Sequence, residues 1–234
     1  MCYRIQMGKR LELDPPRTFN EKLQWLKLHD RRPEQARWVD KYEVRKLIAE
    51  TAGDGHLFPL LGVWDRVEDV EWDRLPDRFV LKCTHDSGGT VICRDKSRFD
   101  VRAARRKLAA GLKRNYYWAG REWAYKDVRP RIIAEPLMVD ESGTELKDYK
   151  FFCFDGEPRL IQVDFDRFVN HKRNLYDLYW RYQPFQLMYP TDPTREIPKP
   201  SNLDEVLAFV RRITPKVPFM RTDLYLIGRR IYFG

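Results

Sequence analysis

The stretch that decides the fold reads Phe79-Val80-Leu81-Lys82-Cys83-Thr84-His85-Asp86-Ser87-Gly88-Gly89-Thr90-Val91-Ile92. An apolar strand ends in a lysine, passes through a small polar loop with two glycines, and returns as a second apolar strand, which predicts a β-hairpin. Glycines let a backbone approach an anion closely, and successive N–H groups can form an anion-binding concavity. The adjacent lysine adds a positive charge. The pattern therefore favours a loop that covers phosphates.

Lys82 also has an ordinary interpretation. It shares strand parity with Val80, so we expect it at the end of a face that points into a sheet, where an ammonium needs an anionic partner. A carboxylate in a salt bridge would satisfy that need, but the neighbouring glycine loop favours a phosphate. The loop is not a Walker A sequence, because the pattern GxxxxGK[ST] is absent from the chain.

Length and composition bound the class of protein. The chain has 234 residues, of which 43% are hydrophobic, enough for one large or two small domains with a sizeable core. No apolar run approaches about 18 residues, which argues against a membrane span, and the N-terminus does not read as a signal peptide. Four cysteines without CxxC spacing indicate a reduced, cytoplasmic location.

Charge is concentrated in one segment. The formal net charge is +9, and residues 100–131 carry ten Lys and Arg against three Asp and Glu. Such a segment attracts nucleic acid, anionic lipid or acidic small molecules without selecting among them. A solvated helix face is the equally good alternative.

Local signals predict the secondary structure. Capping and apolar periodicity predict helices near 19–29, 40–52, 100–112 and 201–213. Alternation and turn residues predict strands over 58–63, 78–83, 90–94, 131–134, 149–154, 159–164, 219–226 and 230–233, with an irregular proline-rich excursion over 184–200. Because the strands arrive as hairpins rather than in regular β-helix-β alternation, the predicted class is α+β with antiparallel sheets.

Two of the later strands carry charged residues among apolar ones. Period two places Asp148, Lys150 and Phe152 on one face of the first strand, and Arg221 with Asp223 on the open face of the second. A carboxylate and an ammonium beside an aromatic ring suit a polar ligand with an apolar part, while a cross-strand ion pair is the alternative. Mg²⁺ prefers carboxylate oxygen, so Asp223 is a candidate metal ligand, although no second carboxylate follows it.

A mixed polar stretch follows another strand. Residues 164–167 and 170–173 could bind an acidic acceptor or orient a nucleophile, but an ordinary polar loop is the favoured interpretation. The four histidines are too scattered for a zinc site, and no Ser-x-Gly elbow supports a serine hydrolase.

Six runs, taken together and in order, resemble a known family. They are FNEKLQWLK at 19–27, VDKYEVR at 39–45, VLKCTHDSGG at 80–89, NYYWAGREW at 115–123, KDYKFFCFDG at 147–156 and RTDLY at 221–225. They resemble the TupA-like ATP-grasp family, which is named for a teichuronopeptide biosynthesis protein and is often found among bacterial surface-polysaccharide genes. The resemblance covers nearly the whole chain.

The resemblance implies an ATP-grasp fold, in which two α+β subdomains with antiparallel sheets clasp ATP. It implies an N-terminal helical region over 1–75, a small subdomain with the glycine-rich loop over 76–134, and a C-terminal subdomain over 135–234. It also implies site residues. The expected nucleotide-binding residues are Lys41, Lys82, Ser87, Gly88, Gly89, Glu135, Leu137, Asp148 and Lys150, with Glu135 and Leu137 lining adenine and ribose. The expected catalytic residues are Lys82, Lys150 and Arg221, and Asp223 is the expected Mg²⁺ ligand.

The implied activity is an ATP- and Mg²⁺-dependent carboxylate–amine ligase in cell-surface polysaccharide or teichuronopeptide biosynthesis. Such ligases activate a carboxylate as an acyl phosphate, which an amine then attacks, and catalysis depends on positioning and charge neutralisation. The basic segment would suit an acidic acceptor such as a uronic acid or glutamyl chain, and we expect no DNA partner. Peripheral association with envelope-synthesis machinery is compatible with this role.

Two other functions stay open at this point. A sugar or polysaccharide kinase, or another transferase on the same fold, would use the same ATP site, and no sequence feature separates it from a ligase. A binding module for nucleic acid or an anionic polymer would use the basic helix with Tyr116, Tyr117 and Trp118.

The chain departs from the family at its end. Members continue past the final hairpin with a glutamate-containing strand that supplies the expected second Mg²⁺ ligand, whereas this sequence stops at Gly234. We therefore expect an incomplete metal site, with ATP binding retained and catalysis weakened.

Overall fold

The structure is a computed structural model that describes residues 3–143, 146–166 and 169–234. Among these residues the helices are α1 Tyr3–Met7, α2 Phe19–His29, α3 Gln35–Val39, α4 Glu43–Ala52, α5 Val101–Leu112, α6 Tyr117–Gly120 and α7 Leu203–Ile213. The strands are β1 Gly62–Trp64, β2 Phe79–Cys83, β3 Val91–Cys93, β4 Ile132–Pro136, β5 Asp148–Phe154, β6 Glu157–Phe165, β7 Lys172–Tyr176, β8 Met220–Ile227 and β9 Arg230–Phe233. None of the helices in these ranges is long and apolar enough to cross a bilayer.

The chain divides into two compact units. The first unit comprises Met1–Arg45 and Pro59–Leu137, and the second comprises Lys46–Phe58 and Met138–Gly234. Each unit has its own antiparallel sheet and its own apolar core. The predicted division at residues 75 and 134 stays a prediction about domains.

The first unit is built on a four-stranded sheet in the order β1-β4-β2-β3. Strand β2 pairs with β3 in the predicted hairpin and with β4 on its other edge, both antiparallel. Alternate apolar residues of β2 and β4, including Phe79, Leu81 and Ile132, belong to one core with Leu108 of α5. The opposite parity carries Lys82 and Val80.

Helix α5 forms where the sequence predicts it. The Asp100 carboxylate caps the helix by accepting a hydrogen bond from the Ala103 amide at 2.9 Å, and Ala104, Leu108 and Gly111 form its buried stripe. A Cβ on Gly111 would lie 2.8 Å from the Cys83 sulfur. Glycine at this position therefore lets the C-terminal end of α5 approach the end of β2 closely.

The second unit is built on a five-stranded antiparallel sheet in the order β7-β6-β5-β8-β9. One face belongs to the core with α7 and includes Phe151, Ile161 and Leu224, together with Val206 and Val210 of the helix. The other face carries the charged residues that period two predicted. Burying one face fixes the register of each strand, so the polar residues are fixed with it.

Three local predictions needed correction. The strand expected over 58–63 is confined to β1, which begins at Gly62. The helix expected from residue 40 begins at Glu43. The Asp40 side chain accepts hydrogen bonds from the amides of Tyr42 and Glu43, so Asp40 precedes the helix and is not part of it. Lys172 and Arg173, expected in a polar loop, begin strand β7, and their side chains pair with Asp192 and Asp164. Arg167 of the same stretch lies outside the described residues.

Candidate functional site

The glycine loop of the first unit has a backbone that other residues would disturb. Gly88 has a φ of +85°, in the left-handed region that side chains rarely adopt. A Cβ on Gly89 would lie 2.2 Å from an oxygen of Asp86, so the Asp86 carboxylate is folded over Gly89. Ser87 beside them is exposed. The loop conformation therefore depends on both glycines.

Lys41 is brought to this loop from a distant part of the sequence. Its ammonium donates hydrogen bonds to the Cys83 carbonyl at 2.9 Å and to the Asp86 carbonyl, and it lies 3.8 Å from the Asp86 carboxylate. Burial lowers the pKa of Lys41, while the charge of Asp86 opposes that effect. The Lys41 ammonium therefore connects the end of β2, at Cys83, to the glycine loop, at Asp86.

His85 joins the loop to helix α5. Its Nε2 lies 3.2 Å from the Gly111 carbonyl and 2.9 Å from the Arg114 carbonyl, at the C-terminal end of the helix. The Gly111 carbonyl also accepts from the Arg114 amide at 3.0 Å, so an imidazole N–H that donates here adds a side-chain contact to the last turn of α5. No local sequence pattern indicates this role, because the contact spans more than twenty residues.

Lys82 has a carboxylate partner within its own sheet. Across β2 and β4, Val80 is opposite Glu135, and the Lys82 ammonium lies 2.8 Å from the Glu135 carboxylate. Arg45 of α4 donates to the other oxygen of the same carboxylate at 3.0 Å. The ordinary interpretation of Lys82, a salt bridge, is therefore what the structure shows. Leu137, just beyond β4, donates its amide to the Arg78 carbonyl at 3.3 Å.

In the second unit, Lys150 lies among three carboxylates, which we call the aspartate cluster: Asp148, Asp164 and Asp223. The Lys150 nitrogen is 3.3 Å from Asp148, 3.3 Å from Asp223 and 3.9 Å from Asp164. The register produces this arrangement, because Lys150 is opposite Asp223 and Asp148 is opposite Asp164. Burial lowers the pKa of Lys150, and the charge of Asp223 opposes that effect.

Two arginines complete the charge balance. Arg221 holds both oxygens of Asp223 at 2.7 and 2.8 Å, and Arg173 holds both oxygens of Asp164 at 2.5 and 2.9 Å. Burial alone would raise the pKa of Asp223, but the charges of Lys150 and Arg221 outweigh it and hold that pKa below its ordinary value. Three carboxylates thus face three cations.

An aromatic contact lies next to the aspartate cluster. His171 stacks on Tyr189 with ring centroids 3.8 Å apart, and its Nε2 is 3.7 Å from the Asp164 carboxylate. The Arg173 guanidinium lies 4.9 Å from the same tyrosine ring. The polar stretch of the sequence analysis is therefore organised around Asp164, and its role with an acceptor stays a prediction.

The side chains present do not fit a metal centre made by the protein alone. Within the part of the chain that the structure describes, no three His, Cys, Asp or Glu residues are grouped to hold a metal ion. Both oxygens of Asp223 are engaged by Arg221, and Lys150 adds a further positive charge beside them. The assignment of Asp223 to Mg²⁺ stays a prediction.

The structure thus groups the predicted residues by unit. It brings Lys41 to the Gly88–Gly89 loop and pairs Lys82 with Glu135, and in the second unit it places Asp148, Lys150, Arg221 and Asp223 together. Sequence reasoning missed Asp86 and Arg45 as members of these groups, and it named Asp164 and Arg173 only as parts of a polar stretch. Arg45 and Glu135 are 90 positions apart, so no local pattern could have paired them.

Comparison with solved structures returns ligases at low identity. The D-alanine–D-alanine ligase from Bacillus anthracis shares 16% identity over 85% of this chain and 56% of its own, with a TM-score of 0.46. The D-cycloserine synthetase DcsG shares 18% over 85% of this chain and 62% of its own, with a TM-score of 0.43. The ATP-grasp ligase PsnB, complexed with a minimal precursor, shares 11% over 91% and 56%, with a TM-score of 0.44. This chain spans less than two thirds of each of these proteins.

Comparison with curated protein sequences gives no match. The model of the TupA-like ATPgrasp family matches residues 21–234. The fold is accordingly the α+β fold of ATP-grasp proteins. Within that class, the chain belongs to the TupA-like ATP-grasp family, which confirms the resemblance seen in the sequence.

Proposed function

We propose that this protein is an ATP-dependent ligase that joins a carboxylate to an amine. The observation that carries the proposal is the glycine loop of the first unit, whose conformation depends on two glycines and on the Lys41 ammonium, with Lys82 at the end of the preceding strand. Membership of an ATP-grasp family supports ATP as the ligand of such a loop.

Within the first unit, the phosphates are assigned to the loop. The N–H groups of Ser87, Gly88 and Gly89 are the proposed main-chain donors, because consecutive amides in a glycine loop can converge on an anion. Lys82 and Lys41 are the proposed cations. Glu135 and Leu137, on and just after β4, are proposed to line adenine and ribose.

The second unit is proposed to stabilise the transferring phosphoryl group. A carboxylate oxygen of the acceptor attacks the γ-phosphorus, the bond to the leaving ADP oxygen breaks, and an acyl phosphate forms. An amine then attacks the acyl carbon, loses a proton and expels inorganic phosphate. Lys150 and Arg221 supply positive charge, and Asp148 is proposed as part of the nucleotide wall. Charges that the folded protein positions before the reaction stabilise the transition state, and this electrostatic stabilisation is commonly the largest single contribution to catalysis.

Mg²⁺ is an expected companion of ATP in this proposal. When bound, it would supply neutralisation of phosphate charge, and Asp223 is its proposed ligand. Because Arg221 holds both Asp223 oxygens, binding there requires the arginine to release them. The roles given above to Lys82, Lys150 and Arg221 do not depend on that exchange.

The proposed acceptor is acidic, and a surface of the first unit supports this. Residues 113–126 form what we call the tryptophan lobe, in which the Asn115 side chain donates to the Lys126 carbonyl at 2.9 Å and the rings of Tyr116 and Tyr125 lie 4.9 Å apart. Trp118 is 64% exposed, and the Arg121 guanidinium lies 4.4 Å from its ring. An exposed indole beside cations is typical of a binding surface.

A uronic acid or glutamyl chain fits this surface, since it presents carboxylates to the cations of the lobe. That acceptor class favours a role in cell-surface polysaccharide or teichuronopeptide biosynthesis. We propose that the protein acts in the cytoplasm, in peripheral association with envelope-synthesis machinery.

Hydroxylamine trapping tests the chemistry. The protein is incubated with ATP, an oligouronate or oligoglutamate, and hydroxylamine, which converts an acyl phosphate into a hydroxamate. We expect ATP-dependent hydroxamate that is lost in Lys150→Met. ATP consumption that yields a phosphorylated hydroxyl group and no hydroxamate would instead establish the kinase alternative.

A further inference from the structure

Glu135 is a buried carboxylate with two cations. It is 7% exposed, and its two oxygens accept separately from Lys82 at 2.8 Å and from Arg45 at 3.0 Å. All three residues lie in the first unit, on β4, β2 and α4. The two cations therefore occupy different oxygens of one carboxylate, and neither contact uses the atom that the other needs.

This arrangement bears on how Lys82 can serve a phosphate. An ammonium that pairs with Glu135 at 2.8 Å has to turn away from it to bind an anionic ligand. A buried carboxylate that loses its partner carries a large free-energy penalty, because water cannot replace the lost interaction. If Lys82 were the sole partner of Glu135, its movement toward a ligand would leave the buried carboxylate unpaired. The free-energy cost of that loss would oppose the movement.

Arg45 removes that obstacle. Its guanidinium holds its donors in a rigid plane and occupies its own oxygen of the carboxylate, so it keeps Glu135 paired while Lys82 moves. We propose that Arg45 is a positioning residue that releases Lys82 to the phosphates of ATP by retaining Glu135. The inference rests on the proposed function, because it requires ATP to be the ligand of Lys82.

Ordinary structural support by Arg45 makes a different prediction. If Arg45 only stabilised the fold, replacing it would lower stability, and ATP affinity would not respond to the charge of Glu135. If Arg45 acts through Glu135, removing the carboxylate charge makes the arginine unnecessary. Glu135→Gln removes that charge while keeping the side chain's size.

The experiment measures ATP affinity by titration calorimetry in four chains: wild type, Arg45→Met, Glu135→Gln and the double variant. We expect Arg45→Met to bind ATP at least about tenfold more weakly than wild type. The double variant should bind within about twofold of Glu135→Gln alone, since the cost of the stranded carboxylate is gone. Thermal melting of each chain checks that every variant is folded at the temperature of the titration.

A matched control is Arg129→Met, which removes another guanidinium of the first unit from a carboxylate, that of Asp65 at 2.8 Å. It should leave ATP affinity unchanged. Should Arg45→Met not fold, Arg45→Gln is used in the same four-chain comparison, because it also lacks the charge and retains hydrogen-bonding capacity.

The outcomes separate this inference from the proposed function. Wild-type protein that binds no ATP removes both. If wild type and Arg45→Met bind ATP with equal affinity, the proposed role of Arg45 is wrong. It is also wrong if the double variant binds ATP as weakly as Arg45→Met. Either result leaves the ATP site in place.

Discussion

At the scale of single residues, the charged side chains of both candidate groups already have partners inside the protein. Lys82 pairs with Glu135, Lys41 with main-chain carbonyls of the loop, and Asp223 with Arg221. The proposed anionic ligand or cation would have to displace these partners. The proposed binding would therefore exchange one set of contacts for another, and its free energy would be the difference between the two sets.

Asp223→Asn tests the charge balance of the aspartate cluster. At neutral pH the variant should be less stable than wild type by about 1–3 kcal/mol, because Lys150 and Arg221 lose a charged partner. The pKa of Asp223 is lowered in the folded protein, so its stabilising contribution is complete above the unfolded pKa of about 4 and is lost as pH falls through the folded pKa.

Urea denaturation of both chains as a function of pH measures this difference. The gap between wild type and Asp223→Asn should be constant near neutrality and close as the pH falls below about 4. A gap that widens on acidification would show that the folded pKa is raised and that the cations do not hold Asp223.

At the scale of elements, the sequence predicted those whose signals are local. Helix α2 begins where Thr18 and Glu21 form a capping box, and α5 begins at its Asp100 cap. The hairpin of β2 and β3 follows from apolar strands around the glycines. By contrast, β7 begins with Lys172 and Arg173, which pair with distant carboxylates, so its start shows no apolar alternation.

The candidate site was predictable to the same extent. Lys82, Gly88 and Gly89 form one contiguous signal. Alternation placed Lys150 on one face of β5 with Asp148, and Asp223 on the open face of β8. Their direct pairing depends on which strands are neighbours and in which register, information that only the folded sheet contains. The Arg45 contact with Glu135 depends on tertiary packing in the same way.

The glycine loop makes a prediction at this scale. Gly88→Ala should destabilise the first unit by about 1–2 kcal/mol, because L-residues pay that cost at positive φ, and it should also weaken ATP binding. Gly53→Ala is the matched control: Gly53 has a φ of +93°, and, like Gly88, it has no atoms within 4 Å of an added Cβ. Melting and ATP titration of both variants measure the effects.

If both variants lose similar stability and only Gly88→Ala binds ATP more weakly, the result would support a role of the loop's conformation in ATP binding. Equal ATP affinities in the two variants would show that the backbone at Gly88 does not contribute to the nucleotide site.

At the scale of the whole molecule, a net charge of +9 makes electrostatic attraction of acidic polymers a general property. Selectivity requires a local surface, and the tryptophan lobe is the candidate. Tyr179 in the second unit offers a comparison, because it is 74% exposed and Arg181 lies 4.9 Å from its ring. Both pairs combine an exposed aromatic ring with an arginine, but only Trp118 and Arg121 belong to the tryptophan lobe.

Trp118→Ala should weaken binding to an oligouronate by about tenfold, whereas Tyr179→Ala should not change it. Binding by both chains should weaken as salt is added, since charge attraction is screened. Affinity measurements with the oligouronate, uncharged dextran and single-stranded DNA check this. Equal affinities of the two variants, or tighter binding to DNA than to the oligouronate, would contradict an acidic glycan as the partner of the lobe.

Binding of ATP by Lys82 and the glycine loop is tested most directly by calorimetric titration of wild type and Lys82→Ala with ATP. Lys96→Ala is the control, because the Lys96 ammonium also holds main-chain carbonyls of the first unit, those of Asp73 and Leu75. We expect wild type and the control to bind alike and Lys82→Ala to bind about 10–100-fold more weakly, the loss of one charge-assisted contact. Equal, tight binding by wild type and Lys82→Ala would contradict the account.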